Sequence, residues 1–248
     1  MPKPNGVVFY RGPSMIDGKP IVAIMTGLAH NSSNEKTGAL LQTWILRADV
    51  NPLRAVDTGA DVSICGDCKH RGRIVRVGRK LKNKGRSCYV RLDTAPNNIY
   101  KTMKRRRYPT VTPNDLVTML ARRIVRGGSY GDPAAVPFHV WAPFMDLIKT
   151  AYTHQWSRYP ELAAFCMASV DTSAEKAMAK MLGYRTFRVR GENEQIEQGE
   201  IACPASAEMQ HRTQCFDCKL CGGARVKAKD IVIIAHGARK GSFANAQA

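Results

Sequence analysis

Short apolar runs separated by polar stretches dominate the chain. Residues 20–25, 40–46, 87–92, 151–154, 165–170, 184–189, 200–203 and 231–235 have the length and the β-branched or aromatic content of strands. Helical patterns fall between several of them. Residues 113–122 follow Thr112, with Asp115 three positions on as a capping acid. Residues 137–149 predict a helix opening near Pro137. Residues 173–182 predict a third helix, capped by Thr172 or Asp171 and stopped by Gly183.

Alternating strand and helix patterns predict a parallel α/β sheet. In the second half each apolar run also ends in a polar, reactive cluster. Asp132 closes 128–132, His154 and Gln155 follow 151–154, and Ser169 and Asp171 close 165–171. Arg188, then Cys203 and Ser206, then His236 continue the series. A (β/α) barrel builds its active site from such strand ends, so the expected fold is a (β/α) barrel or partial barrel with cysteine-rich metal-binding loops. The expected organisation is an N-terminal strand and loop (1–37), a barrel-like domain (38–237) carrying an inserted basic arm (69–86), and a flexible tail (238–248). Asp132, His154, Asp171 and Arg188 are the candidate catalytic residues. His154 suits proton transfer near neutral pH, and Arg188 suits a phosphate or carboxylate.

Hydrophobic residues make up 44% of the chain, enough for a core and too many for a disordered chain. The longest apolar runs are too short to span a bilayer, and the first residues lack the apolar segment of a secretory signal, so a cytoplasmic protein is expected. A reducing compartment turns clustered cysteines toward metal binding or reactivity. Cys166, inside an apolar run, reads as a small buried hydrophobe.

Cys203-Pro204, followed by Cys215, Cys218 and Cys221 as C-x2-C-x2-C, is the strongest local signal. Three thiolates at that spacing, with a distant Cys beside Pro, are the ligand grammar of a 4Fe–4S cluster. Zinc accepts four thiolates too, and His211 offers a replacement for one. A second constellation is Cys65 and Cys68 with Cys88. With His70 it makes a complete zinc set, and without it three thiolates leave an open position of the kind catalytic centres use. Spacing alone leaves open whether the two sets share one site.

The formal charge of +18 points to a polyanion, nucleic acid first and an acidic protein or membrane surface behind it. Residues 69–86 hold nine Lys or Arg and no acid. Arg71, Arg73, Arg76, Arg79, Lys80, Lys82, Lys84 and Arg86, with Lys104, Arg105, Arg106 and Arg107, are the candidate phosphate contacts. Tyr89, Tyr100 and Tyr108 are candidates for stacking on bases. The chain has no Walker phosphate loop, H-E-x-x-H motif or nucleophile elbow to support NTP hydrolysis, zinc proteolysis or esterase chemistry.

The strings Tyr130-Gly-Asp-Pro-Ala-Ala-Val-Pro137, Tyr152-Thr-His-Gln-Trp156, Met167-Ala-Ser-Val-Asp171, Gly183-Tyr-Arg-Thr-Phe-Arg-Val189 and Cys203-Pro-Ala-Ser206 resemble a family of bacteriophage-encoded proteins without an assigned activity, over roughly residues 38 to 237. That resemblance implies a viral protein in a bacterial host cytoplasm. More remotely, the early cysteines, Cys88-Tyr89 and the serial strands resemble the radical-SAM partial barrels, which hold a 4Fe–4S cluster on C-x3-C-x2-C. This implies S-adenosylmethionine as a cofactor. The chain departs from that pattern: Cys65 and Cys68 are C-x2-C, and Cys88 comes only after the basic arm. Three expectations result. One is an iron–sulfur enzyme acting on nucleic acid or a nucleotide. The second is a zinc-stabilised nucleic-acid-binding protein without turnover, and the third is an accessory protein that binds a host protein.

Overall fold

The computed structural model describes residues 4–32, 34–237 and 240–243. Its centre is a nine-stranded, mostly parallel sheet of a mixed α/β chain. β1 (Gly6–Pro13) and β2 (Pro20–Thr26) form an antiparallel hairpin that continues onto β3 (Leu41–Arg47). Next come α1 (Pro52–Thr58) and α2 (Val62–Cys65). A separate two-stranded ribbon follows, β4 (Arg73–Val77) with β5 (Lys80–Lys84), and then α3 (Ala95–Lys104) and α4 (Pro113–Leu120). The sheet resumes with β6 (Val125–Tyr130), then α5 (Phe138–Trp141), β7 (Ile148–Thr153), β8 (Met167–Val170), α6 (Ser173–Met181) and β9 (Thr186–Arg190). β10 (Glu200–Ala202), α7 (Cys215–Cys218) and β11 (Asp230–Ile234) complete it.

The strand order is β1-β2-β3-β6-β7-β8-β9-β11-β10, and every neighbour from β3 onward is parallel. Among the described residues no ladder joins β1 to β10. The N-terminal hairpin belongs to the same sheet as the rest, because β2 pairs with β3 along its whole length.

Most expected elements form. Thr112 accepts the Asp115 amide while Asp115 reaches back to the Thr112 amide, a reciprocal cap on α4. Thr172 caps α6, and Gly183 at φ +80° follows its end. Two expectations fail for local reasons. Residues 87–92 form no strand, because the Arg86 guanidinium takes the carbonyls of Cys88 and Val90 while the amides of Ser87 and Cys88 donate to the His70 carbonyl. These backbone groups are then unavailable to a ladder. The expected helix at 137–149 breaks into α5 and a 3-10 stretch, Ala142–Leu147, that contains Pro143, which has no amide to donate. From Ile148 the chain is recruited to pair with β6.

Trp141, Phe144 and Phe165 are fully buried, and Phe9 packs edge-on against the first two. A second, smaller apolar cluster contains Leu40, Met167, Ile231 and Ile233 together with Cys203, Cys215 and Cys221. Cys166 is buried as expected. Among the described residues no helix is long and apolar enough to cross a membrane. Residues 238–239 and 244–248 of the expected tail lie outside the described residues; Phe243 is buried.

Candidate active site

A cavity of about 380 Å³ lies at the parallel strands, a size that takes a small ligand. Side chains alternate across a strand, so every second residue reaches one face. Arg126, Gly128 and Tyr130 of β6, Thr150 and Tyr152 of β7, and Phe187 and Val189 of β9 line it in that rhythm. Asp132 and His154, just beyond the ends of β6 and β7, extend the same series, and Ser169 of β8 joins them.

Asp132 is held from all sides. Its amide donates to the Ile64 carbonyl at 2.6 Å. Oδ1 accepts from Thr153 Oγ1 at 2.7 Å and the Ala134 amide at 3.0 Å, and Oδ2 accepts the His154 amide at 2.7 Å. Burial nevertheless raises its pKa, against the neighbouring His154 and these bonds. Gly131 makes the placement possible. At φ +82° its backbone passes so close to β3 that a Cβ would lie 2.6 Å from the Ile45 carbonyl oxygen.

His70 lies across the cavity from this carboxylate. Its Nδ1 is 2.7 Å from Ser87 Oγ, and its Nε2 is 3.0 Å from Asp171 Oδ2. Both ring nitrogens are engaged by these two partners. Phe243 stacks on the ring at 5.6 Å, and His154 meets it edge-on at the same distance. Asp171 therefore touches the cavity through His70.

The first cysteine set shares one cavity. Cys65, Cys68 and Cys88 all line the cavity, although 20 positions separate the last two in sequence. Burial raises the Cys65 thiol well above its ordinary range, with Asp61, Cys68 and Cys88 adding to it and Arg71 opposing. Burial also pushes Cys68 up to about 12. Three cysteines of the second set, Cys203, Cys215 and Cys221, share the smaller apolar cluster. Cys203 follows β10, Cys215 and Cys218 sit on α7, and Cys221 bridges to Thr150 on β7. Burial pushes Cys221 up to about 12 against a bond from Tyr152, while Cys203, Cys215 and Cys218 bear on it electrostatically. Cys203 and Cys215 are likewise raised by burial, with Lys36 opposing in both and Arg126 in the second. Of the second set, Cys215 lines the cavity, while Cys203, Cys218 and Cys221 do not. All eight cysteines are free of disulfides. Among the described residues no three His, Cys, Asp or Glu side chains close around a point as ligands of a single ion.

Several candidates lie elsewhere. Arg188 does not line the cavity: its neighbours Phe187 and Val189 do, so alternation turns it to the opposite face. There it is 2% exposed and paired through two nitrogens with Glu200, at 2.9 and 2.8 Å. Arg71 and Arg86 are not phosphate contacts either. Arg71 pairs with Asp61 at 2.7 Å and donates to the Gly66 carbonyl, and Arg86 is 5% exposed over the carbonyls of Cys88 and Val90. Tyr100 is buried, and Tyr108 is half-buried.

Lys69 pairs with Glu175 at 2.7 Å, while Arg73, Arg76, Arg79, Lys80, Lys82 and Lys84 are exposed. Ile74 lies over Gly59, and Asn83 donates to the Val56 carbonyl, so that face of the ribbon covers α1. Arg73, Val75 and Val77 pair with Lys84, Lys82 and Lys80 to make the opposite face. Among the described residues Arg73, Arg76, Arg79, Lys80, Lys82 and Lys84 form no ion pair. The ribbon springs from Arg71 and Arg86, between the second and third cysteines of the first set.

Sequence reasoning missed Lys36 and Arg126 as cavity residues, as well as Tyr130 and Tyr152. The polar end of β6 was visible in sequence, but its glycine-rich stretch hid the strand whose alternation would have found Arg126 and Tyr130. No family model matches this chain, and no curated protein or solved structure matches it either.

Proposed function

We propose that the protein is an iron–sulfur enzyme acting on nucleic acid or a nucleotide, with its reaction chamber in the cavity at the parallel strands. The observation that supports this reading best is that Cys65, Cys68 and Cys88 all line a cavity that Asp132 and His154 also line. Active sites of α/β sheets sit at the strand ends, where Asp132 and His154 are. In this reading the sheet serves as a partial barrel, and the three thiolates hold a 4Fe–4S cluster with one iron open toward the cavity. Cys203, Cys215, Cys218 and Cys221 hold a second one. Both sets are all-thiol and disulfide-free, the donor chemistry an iron–sulfur cluster takes, although among the described residues they do not close around a point, so loading would have to draw the thiolates together. When bound, an open-iron cluster supplies one-electron chemistry to a co-substrate, for which S-adenosylmethionine is the candidate. The chain's own residues close the chamber, hold protons at His154 and at the His70 bridge, and bring nucleic acid to the rim on the basic ribbon.

Elemental analysis of protein purified without oxygen tests this. The expected result is about eight irons per chain, with matching sulfide and absorption near ~400 nm. One or two zincs and no iron would instead support a zinc-stabilised nucleic-acid-binding protein, a reading favoured by the ribbon alone.

The ribbon carries a separate expectation. Replacing Lys80, Lys82 and Lys84 together by glutamine should lower the slope of log affinity against log salt by about 2 to 3 for oligonucleotides. The same replacement of the buried Arg86 should act on folding. An unchanged slope in the triple variant would remove the ribbon from the interface.

A further inference from the structure

The cavity has two chemically different ends. Near the first cysteine set lie the carboxylate of Asp132 and the His70–Asp171 bridge. The other end is cationic. Arg126 reaches into it from β6, and Lys36 from the loop before β3. Among the described residues neither cation is paired with a carboxylate. The Arg126 Nη2 donates to the Tyr89 hydroxyl at 2.7 Å, and its buried Nε has no partner. A buried guanidinium nitrogen left without an acceptor is costly, so this arrangement asks for an anion.

The mouth beside this end is aromatic. Tyr89 and His236 stack at 5.5 Å with ring planes 29° apart, and Tyr89 is 48% exposed. His236 is exposed, and its Nδ1 lies 3.1 Å from the Ile234 carbonyl. Burial, then Lys36 and Arg126, push its pKa down, so the ring stays neutral beside the two cations. A neutral stacked pair at the rim of a cationic recess matches a ligand with a flat ring and a phosphate: rings stack on aromatic side chains, and guanidinium forks hold phosphate oxygens.

We propose that this end of the cavity is a nucleotide subsite, with Arg126 and Lys36 on a phosphate and the Tyr89–His236 pair against the adjoining base. This rests on the proposed reading of the cavity as a reaction chamber, and it names the ligand class that enters it. The phosphate can come from a free mononucleotide or from a nucleotide within a strand that the ribbon delivers.

Titration calorimetry on the full chain tests the subsite, with adenosine 5′-monophosphate, adenosine, inorganic phosphate and a 5′-phosphorylated trinucleotide as probes, and iron measured on each sample. Arg126→Gln should weaken the phosphorylated nucleosides by about tenfold or more while leaving adenosine unchanged. Tyr89→Leu, at an exposed position, should weaken the base-bearing probes and leave inorganic phosphate unchanged. Binding of the mononucleotide as tightly as the trinucleotide assigns a free nucleotide, and preference for the trinucleotide assigns a strand. The subsite is overturned if no phosphorylated probe binds, or if Arg126→Gln binds them like the unaltered chain. It is also overturned if Arg126→Gln loses iron and Lys36→Gln, with iron intact, binds normally, because the cations then serve only to offset the thiolates of the second set. A chain that holds iron and binds no nucleotide refutes this inference alone. A chain without iron refutes the proposed chemistry, while the same titrations still decide the subsite.

Discussion

Replacing Arg188 with methionine should lower the unfolding free energy by about 3–5 kcal/mol, the effect expected when one partner of a buried ion pair is removed. The Glu200 side chain is 0% exposed and the Arg188 side chain 3%. The guanidinium also donates to Glu194 Oε2 at 3.2 Å and to the Gln195 carbonyl at 2.9 Å. Without it, Glu200 keeps Lys176, at 3.1 Å, and the Glu197 amide, at 2.9 Å, to offset its buried charge. Urea denaturation should show a lower midpoint with an unchanged slope. A double replacement, Arg188→Met with Glu200→Leu, should recover much of the loss, because it removes the stranded charge along with its partner. A loss below about 1 kcal/mol in the single variant would sink the argument.

The same pair sets an acid limit. Burial pushes the Glu200 pKa up, but the bonds from Arg188, the Glu197 amide and Lys176 outweigh it and hold the pKa below the ordinary range. A depressed carboxylate contributes stability that is present above its unfolded pKa, about 4.3, and is lost as pH falls through the folded value. Stability should therefore fall on acidification below about pH 4, and less steeply in Arg188→Met. Because Arg188 faces away from the cavity, the variant should keep its iron and its nucleotide affinity. Loss of either at full stability would return Arg188 to the site.

Replacing Cys218 with serine should remove about four irons per chain and leave about four, and Cys68→Ser should do the same from the other set. Cys218 is half-buried and belongs to α7, so its change disturbs little apolar packing. The two variants separate the sites, since three cysteines of one set lie in the second apolar cluster and the other set lies on α2 and the loops after it. Cys218→Ser should also unfold more easily, because a bound centre stabilises the fold that presents its ligands. Equal iron in all three proteins, or zinc in place of iron, would defeat the assignment of two clusters.

Local sequence determined much of the frame. Alternating strand and helix patterns marked β2, β3 and β8 to β11 within a residue or three of where they lie. The capping box of α4 and the Thr172-to-Gly183 span of α6 were legible because caps depend on residues only a few positions apart. The cysteine spacings of both sets were equally local. Other features depended on contacts distant in sequence. Cys88 reaches Cys65 and Cys68 only because Ser87 and Cys88 donate to the His70 carbonyl and so pin the base of the ribbon. Asp132 enters the cavity because a glycine lets the chain pass β3. Arg71 and Arg86 read as free cations within a run of nine, yet each finds acceptors in the folded loops around it. Arg188 followed the same polar-end pattern as Asp132 and His154, and pairing with β8 and β11 put it on the other face. A one-residue change of register reverses which face a side chain meets, so the sequence marked the strands, but only tertiary pairing decided which of their residues meet in the cavity.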